Sequence, residues 1–284
     1  MCAVDSNELA RIQHVAEQAV RAAGNILIRA FRQRTPAETV CPHDVKLEAD
    51  RLSEEAVVSI LARAFPHDGV LAEERGLQPS RSGRVWFVDP LDGSVNFHHG
   101  IPYFSVSVAC YDQTVSGSEG WPQGRVLSSL GMPLVGVVCA PFFRETFVGV
   151  RGRGASCNRT PVTVGRETSL SEAVIGLSFG SREETMARMC RVSASLVRDV
   201  RKLRIFGSTA LDMVHVACGR MSALIQGRVR SWDFAAGRIV LEESGGVFEA
   251  RGVGPEGWEI IASAPGIHAY LHSVLLREGF PMAM

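Results

Sequence analysis

The sequence predicts a layered α/β protein, because patterns typical of helices and of strands alternate along its 284 residues. Apolar residues recur every three or four positions over residues 6–34 and 50–64, which predicts two amphipathic helices. After these helices, short apolar runs such as Val85–Val88 predict strands. The second half alternates as well, with strands predicted at 173–178, 203–206, 222–226 and 258–262 and helices at 183–198, 208–218, 234–244 and the C-terminus.

Local signals define the elements of the first half. Pro66 and Gly69 mark the end of the second helix. Polar and apolar residues alternate over residues 105–108, which predicts a strand with one buried face. The rest of the first half is assigned to a strand pair at 134–139 and 145–150 and to an exposed loop, rich in Gly, Ser and Pro, at 112–133.

Composition and charge restrict the class of protein. Hydrophobic residues make up 46% of the chain, which is enough for a substantial core. Lys and Arg together number 30, as do Asp and Glu, so the net charge of zero removes the simplest argument for a nucleic-acid or membrane-surface partner. No apolar stretch reaches the roughly 20 residues of a membrane span and no secretory signal is visible, so we expect a cytoplasmic protein.

Cysteines and glycines bear on the organisation of the chain. The seven cysteines are odd in number and include no CxxC pair, which argues against a disulfide framework or a zinc site. Glycines and Pro161 cluster over residues 151–165, where we expect a boundary between two subdomains. The predicted subdomains are residues 1–155 and residues 156–284, which together form one unit.

Residues 89–94, with the sequence Asp-Pro-Leu-Asp-Gly-Ser, form the most informative stretch. We expect Pro90 to end a buried strand and Gly93 to permit a tight turn, so that Asp89 and Asp92 lie on one turn. Adjacent carboxylates raise each other's pKa unless a cation compensates, and hard divalent cations prefer oxygen ligands. A solvent-exposed turn with local Asp hydrogen bonds is the alternative for this stretch alone.

Further acidic residues lie at the ends of predicted elements. Glu73 and Glu74 follow the apolar residues 70–72, Asp50 opens the second helix, and Asp233 lies at the start of a later one. A solvated loop is the alternative for the glutamates, and helix capping is the alternative for each aspartate. Burying several such carboxylates together is costly without a metal, so the set as a whole indicates a metal site.

Together these motifs resemble the inositol monophosphatase superfamily of magnesium-dependent, lithium-sensitive phosphatases. Residues 89–94 look like its first signature, and residues 232–237 with 243–246 look like its second. Further matches are Phe206-Gly207-Ser208, Val216-Ala217, Gly219-Arg220, and Gly152–Ala155 with Asn158. The resemblance spans roughly residues 10–270 and implies alternating α-β-α-β-α layers with a metal site between two sheets.

The resemblance also implies a role for each matching residue. Magnesium would be held by Glu73, Asp89, the backbone carbonyl of Leu91, Asp92 and Asp233. The catalytic group would be Glu73, Ser94, whose hydroxyl orients the attacking water, and Asp50, which supports a weaker metal and polarises that water. The substrate would contact the backbone amides of Gly93 and Ser94 through its phosphate, and Asp92, Gly207, Ser208, Thr209, Gln226 and Asp233 elsewhere.

The implied function is a magnesium-dependent phosphomonoesterase that acts on a small phosphorylated metabolite through metal-activated water, with inositol 1-phosphate as the default substrate. Fructose 1,6-bisphosphate, histidinol phosphate and 3'-phosphoadenosine 5'-phosphate are alternative substrates. Three departures from the family pattern bear on this choice: Lys46-Leu47 replaces the usual Val-Thr, Gln226 replaces a Glu of inositol-specific members, and the 112–133 loop is long.

An alternative of another class is a regulatory or interaction protein with secondary phosphatase activity, because some members of the family partner the transcription machinery. The resemblance also implies a homodimer, which is the usual assembly in the family. We expect neither a nucleic-acid nor a membrane partner, since the chain has no net charge.

Overall fold

The computed structural model describes residues 5–33, 37–41, 44–114, 130–180, 182–252 and 257–279. The helices in this part of the chain are α1 (Ser6–Gln33), α2 (Glu48–Ala64), α3 (Ser94–His98), α4 (Glu183–Leu196), α5 (Thr209–Ala217), α6 (Ser231–Glu243) and α7 (Pro265–Arg277). The strands are β1 (Ala37–Cys41), β2 (Asp44–Leu47), β3 (Gly69–Ala72), β4 (Gly76–Gln78), β5 (Arg84–Asp92), β6 (Ser105–Asp112), β7 (Met132–Ala140), β8 (Glu145–Val150), β9 (Gly154–Cys157), β10 (Thr160–Pro161), β11 (Val174–Ser178), β12 (Lys202–Arg204), β13 (Ala223–Val229), β14 (Val247–Gly252) and β15 (Trp258–Ser263).

Most of these strands belong to two sheets. Within the described residues, the larger sheet has eight strands in the order β10-β9-β8-β7-β6-β5-β3-β4, with β3 parallel to β5. The smaller sheet, counted over the same residues, has five strands in the order β12-β11-β13-β15-β14, with β11 parallel to both of its neighbours. β1 and β2 pair antiparallel as a separate hairpin.

Three apolar clusters join the sheets and helices into five layers. The first lies between α1 and α2 and the larger sheet, where Ile12 and Leu61 are buried with Trp86. In the second cluster, side chains of α5 and α6 such as Phe234 fill the space between the two sheets. The third lies between the outer face of the smaller sheet and α4 and α7, around Met189. The order α-β-α-β-α confirms the predicted fold class.

Helix α6, which lies between the two sheets, approaches the backbone of the larger sheet closely because two of the strand residues that face it are glycines. A Cβ atom on Gly136 in β7 would lie 2.5 Å from the carbonyl oxygen of Ala236 in α6. A Cβ atom on Gly149 in β8 would lie 2.7 Å from the Cα atom of Val240 in the same helix. Since these neighbours are backbone atoms, α6 rests directly on the larger sheet.

Several elements of the structure differ from those predicted from the sequence. Pro90 does not end its strand: β5 continues to Asp92, and the pairing with β6 is irregular between Asp89 and Asp92. The predicted helix at 234–244 begins earlier, at Ser231, and β14 was not predicted. Ser107, expected on an exposed face, is buried because helices cover both faces of β6.

Other predicted elements are confirmed, lie outside the described residues, or stay predictions. The helices at 6–34 and 50–64 and the strand pair at 134–139 and 145–150 are confirmed. Of the predicted 112–133 loop, residues 115–129 lie outside the described part of the chain, and the end of the stretch already belongs to β7. The subdomain boundary at residue 155 stays a prediction. Within the described residues, no helix combines the length and apolar character needed to cross a membrane.

Gly149→Ala tests the backbone contact between β8 and α6. The added methyl group meets backbone atoms that cannot rotate away, so we expect the free energy of unfolding to fall by about 1–3 kcal/mol. The control is Gly24→Ala in α1, whose nearest atoms belong to the side chains of Pro141 and Cys139. Urea titrations of both variants measure the effect, and equal stability of the two would contradict the proposed contact.

Candidate active site

The end of β5 places two buried aspartates between the sheets. Asp89 is 2% exposed and Asp92 is 8% exposed. The backbone N–H of Leu91 donates to Oδ1 of Asp89 at 3.0 Å. From α2, the Ser53 hydroxyl donates to the carbonyl oxygen of Pro90 at 2.8 Å. The last residues of β5 are therefore fixed both internally and by the neighbouring helix.

Asp92 is held by the start of α5. Its Oδ2 atom accepts hydrogen bonds from the Ser208 hydroxyl at 2.5 Å and from the Ala210 N–H at 2.8 Å. Its Oδ1 atom accepts one from the Thr209 N–H at 3.0 Å. Burial raises the pKa of Asp92 above its usual value, and these donors oppose the rise. The start of α5 thus stabilises the carboxylate form and fixes its orientation.

Asp50 and Asp233 occupy equivalent positions in two different helices. Each is the third residue of its helix, and each carboxylate accepts a hydrogen bond from the backbone N–H three residues earlier. The distances are 2.8 Å from Leu47 N to Asp50 Oδ2 and 2.7 Å from Arg230 N to Asp233 Oδ2. The capping role considered for both residues is therefore present, and it fixes each carboxylate at the first turn of its helix.

Mutual repulsion shows that the acidic residues share one region. The pKa of Asp89 is raised well above its ordinary value by burial and then by the charges of Glu73, Asp92 and Asp233. Burial raises the pKa of Asp233 to about 7, with a further contribution from the charge of Asp92. The structure therefore brings together four of the residues predicted to bind metal.

Glu73 differs from the other carboxylates because its side chain is exposed. Its backbone N–H donates to the carbonyl oxygen of Val88, which keeps the end of β3 beside β5. Glu54 of α2, which the sequence analysis did not select, supports this segment. Its Oε2 atom accepts from the N–H of Glu74 at 2.8 Å, and its Oε1 atom lies 3.4 Å from Nε of Arg75.

The donor chemistry of this region fits a hard divalent cation. The acidic side chains offer oxygen atoms, and their mutual repulsion is the kind of electrostatic stress that a bound cation relieves. Over the described residues, no group of three or more His, Cys, Asp or Glu side chains is arranged so that it could hold a metal ion. Asp92 and Asp233 instead point toward protein N–H donors.

The predicted phosphate-binding turn adjoins Asp92. Gly93 has a left-handed backbone with φ of 94°, and a Cβ atom there would lie 2.9 Å from the carbonyl oxygen of Tyr103. Ser94 follows as the first residue of α3. Asn96 donates from Nδ2 to the carbonyl oxygen of Phe206 at 2.7 Å, which brings the segment before Gly207 to this turn.

Gln226 lies in β13, where its neighbour Leu224 on the same face packs toward α5 and α6. Gln226 is 6% exposed, and its Oε1 atom accepts no hydrogen bond within the described part of the chain.

Leu47 stands where the family resemblance places a Thr. It is buried, and its backbone N–H donates a hydrogen bond to the carboxylate of Asp50. The side chain of Lys46 lies outside the described residues.

A hydrogen-bonded chain behind Asp92 was also missed by the sequence analysis. The Tyr103 hydroxyl donates to Oδ1 of Asp212 in α5 at 2.6 Å and lies 3.1 Å from Nδ1 of His215. Burial raises the pKa of Asp212 to about 8 and lowers that of His215 to about 4. Sequence spacing gave no signal for this group, because Tyr103 and Asp212 are 109 positions apart.

Comparison with known proteins decides the family. A model of the inositol monophosphatase family matches residues 8–117 and 127–277. The chain belongs to this family. Relatives of this chain are named inositol monophosphatases, which are phosphoric monoester hydrolases. The predicted family and enzyme class are therefore confirmed.

Relatives of this inositol monophosphatase family member carry different names. The Nus factor SuhB of Pasteurella multocida is 32% identical, with 94% of this chain and 91% of the relative covered. The fructose-1,6-bisphosphatase/inositol-1-monophosphatase of Aquifex aeolicus is 30% identical, with coverages of 94% and 96%. The solved inositol monophosphatase from Anabaena is 30% identical and superposes with a TM-score of 0.76, covering 95% of this chain and 97% of that one.

Asp212→Asn tests the buried acid beside Tyr103. Because folding raises the pKa of Asp212 from 3.8 to about 8, folding favours the protonated acid. That stabilisation is complete below the unfolded pKa and is lost as the pH rises through the folded pKa. Asn keeps an oxygen acceptor for Tyr103 and does not titrate. Relative to wild type, we expect its free energy of unfolding to rise by on the order of 3 kcal/mol between about pH 5 and about pH 9.

Urea titrations at several pH values measure this difference. Asp199→Asn, at an exposed site, is the control and should follow wild type at every pH. If the free energies of unfolding of Asp212→Asn and wild type differed by the same amount at every pH, folding would not raise the pKa of Asp212.

Proposed function

We propose that this chain is a magnesium-dependent phosphomonoesterase that hydrolyses a small sugar or polyol phosphate, with inositol 1-phosphate as the default substrate. The observation that carries the proposal is the group of mutually repelling acids around Asp89, where the start of α5 fixes Asp92. A site of this kind suits phosphate-ester hydrolysis, which requires a positioned water and neutralised oxygen charge.

The proposed magnesium ligands are Glu73, Asp89, the carbonyl oxygen of Leu91, Asp92 and Asp233. Bound magnesium would supply positive charge for the phosphoryl oxygens and lower the pKa of a bound water. The all-oxygen donor set favours magnesium over softer metals. Asp50, fixed at the first turn of α2, is proposed to support a weaker second metal.

Other residues are proposed to position the phosphate and the water. Gly93, in its left-handed conformation, precedes α3, and its N–H and that of Ser94 are proposed to bind the phosphate, while the Ser94 hydroxyl orients the attacking water. Glu73, which is exposed directly after β3, is proposed to act on that water as well. These groups supply binding and orientation, which accounts for much of the catalysis of phosphoryl transfer.

The alcohol half of the substrate is proposed to contact Gly207, Thr209 and Gln226. Ser208 is 1% exposed and donates to Asp92, which supports an indirect role through that carboxylate. Gln226 presents a buried amide oxygen that a substrate hydroxyl can satisfy. Cytoplasmic localisation, a homodimer and the division at residue 155 also belong to this proposal.

A role as a regulatory or interaction protein that partners the transcription machinery is a second candidate, because relatives of this chain are named Nus factor SuhB. It would make phosphatase activity secondary. The test is recovery of transcription proteins with the tagged chain and with its Asp92→Asn variant. Recovery independent of Asp92, together with no phosphate release by wild type, would favour this candidate.

Phosphate release by wild type and Asp92→Asn tests the proposed enzyme. The panel is inositol 1-phosphate, fructose 1,6-bisphosphate, histidinol phosphate and 3'-phosphoadenosine 5'-phosphate, each with magnesium and with EDTA. We expect magnesium-dependent release that falls at least about 100-fold in the variant, because even second-shell changes at metal sites cost about 10- to 100-fold. Asp199→Asn is the control carboxylate. Absence of release from every substrate, in folded protein that binds magnesium, would contradict the proposal.

A further inference from the structure

A chain of hydrogen bonds leads from an ion pair at the surface to the buried acid Asp212 of α5. Arg220, which follows α5 and is exposed, binds Glu145 at the start of β8 through Nη1–Oε2 at 2.6 Å and Nη2–Oε1 at 2.5 Å. The same Nη1 atom lies 3.2 Å from Nε2 of His215. Nδ1 of His215 lies 3.1 Å from the hydroxyl of Tyr103, which donates to Asp212. The chain therefore connects these residues without a break.

Each hydrogen bond in this chain has one direction. A guanidinium group has no acceptor, so Nε2 of His215 accepts from Arg220. Burial, and then the charge of Arg220, lower the pKa of His215 to about 4, so the neutral ring carries its hydrogen on Nδ1 and donates it to the Tyr103 oxygen. Burial raises the pKa of Tyr103, whose hydroxyl keeps its own hydrogen for Asp212. A chain in which every donor has its acceptor holds its members in one geometry.

The chain joins α5 to the larger sheet. Asp212 and His215 belong to α5, whereas Tyr103 lies just before β6. Asp212 is one turn beyond Ser208, and its N–H donates to the Ser208 carbonyl oxygen at 2.9 Å. Because such hydrogen bonds couple successive turns of one short helix, fixing Asp212 also fixes the donors at the start of α5 that bind Asp92.

The backbone and ring of Tyr103 contact the other side of the proposed site. The carbonyl oxygen of Tyr103 accepts from Nδ2 of Asn96 at 2.9 Å and would lie 2.9 Å from a Cβ atom on Gly93. The Tyr103 ring stacks on Phe206 with 4.9 Å between ring centres, and the Phe206 carbonyl oxygen accepts from the same Asn96 amide. Tyr103 is thus bound both to the turn that is proposed to hold the phosphate and to the helix that holds Asp92.

We propose that Tyr103 is a positioning residue for the reaction, because its bonds to Asp212 and Asn96 set the separation between the phosphate-binding turn and the carboxylate of Asp92. The inference rests on the proposed function, in which Asp92 holds magnesium and the amides of the turn hold the phosphate. A misplacement of about 1 Å is able to reduce a rate by about 100-fold, so this separation matters for catalysis. Tyr103 acts through α5 and the turn rather than on the substrate itself.

Tyr103→Phe tests this role, because it removes the hydroxyl and keeps the ring and the backbone. We expect magnesium affinity, measured by calorimetry, and kcat for the best substrate of the panel each to fall about tenfold, as for other outer residues of metal sites. KM should change by less than about twofold, because the bond from Asn96 to the Tyr103 carbonyl oxygen remains.

Substitutions of Asp212 and a control outside the chain make the test specific. Asp212→Leu removes the acceptor and should match Tyr103→Phe. Asp212→Asn keeps an acceptor oxygen and should stay within about twofold of wild type in magnesium affinity and kcat. The control is Ser263→Ala, which removes a fully buried hydroxyl that lies 2.8 Å from Nδ1 of His268 in the smaller sheet and α7. It should leave magnesium affinity and kcat unchanged.

Hydrogen exchange of the Thr209 and Ala210 N–H groups, which donate to Asp92, is a readout that needs neither magnesium nor turnover. We expect these two amides to exchange about threefold or more faster in Tyr103→Phe than in wild type, because the lost hydrogen bond loosens the start of α5. Their exchange in Ser263→Ala should equal that in wild type.

The outcomes separate this inference from the proposed function. Lower stability of Tyr103→Phe, with magnesium affinity, kcat and exchange as in wild type, would overturn the positioning role. Equal losses in Asp212→Asn and Asp212→Leu would also overturn it. Faster exchange in Tyr103→Phe, with no hydrolysis by wild type, would support the positioning of Asp92 and remove the phosphatase proposal. Hydrolysis by wild type that Tyr103→Phe leaves unchanged would remove the positioning role alone.

Discussion

The structure depends on the cost of burying several carboxylates in one place. A carboxylate that leaves water loses several kcal/mol of solvation, and neighbouring like charges add to that cost. The fold offsets it with backbone N–H groups that face each acid: Asp92 at the start of α5, Asp89 within its own turn, and Asp50 and Asp233 in the first turns of their helices. The positions at which these helices begin are therefore fixed by electrostatics as well as by apolar packing.

The outer helix α2 contributes to the site from behind. Ser53 holds the carbonyl oxygen of Pro90, and Glu54 holds the N–H of Glu74. One turn of α2 therefore positions both acidic segments of the larger sheet. Asp50 is the third residue of the same helix, and its spacing of three and four positions from Ser53 and Glu54 puts the three polar side chains on one face of α2. The helical layer that covers the larger sheet therefore also positions the strand ends that carry the candidate site.

Strong local patterns explain what could be predicted from the sequence. α1, α2 and the β7–β8 pair have clear periodicity, and the fold class and family followed from them and from the two signatures. Pro90 was misjudged because an irregular register lets a residue without an N–H continue the strand. The contacts of Tyr103 with Asp212 and of Ser208 with Asp92 join residues more than 100 positions apart, which local patterns do not report. The role of each proposed site residue stays a prediction.

The backbone contact of α6 with the larger sheet has a consequence for how this site is inherited. Asp233 lies in the first turn of α6, whereas Asp89 lies on β5 of the sheet on which α6 rests. Because Gly136 and Gly149 bring the helix and sheet backbones together, the separation of these two acids is set by main-chain dimensions. Side chains elsewhere in this layer are thus able to change volume over evolutionary time without altering that separation. The two glycines lack this freedom, although neither takes part in the chemistry.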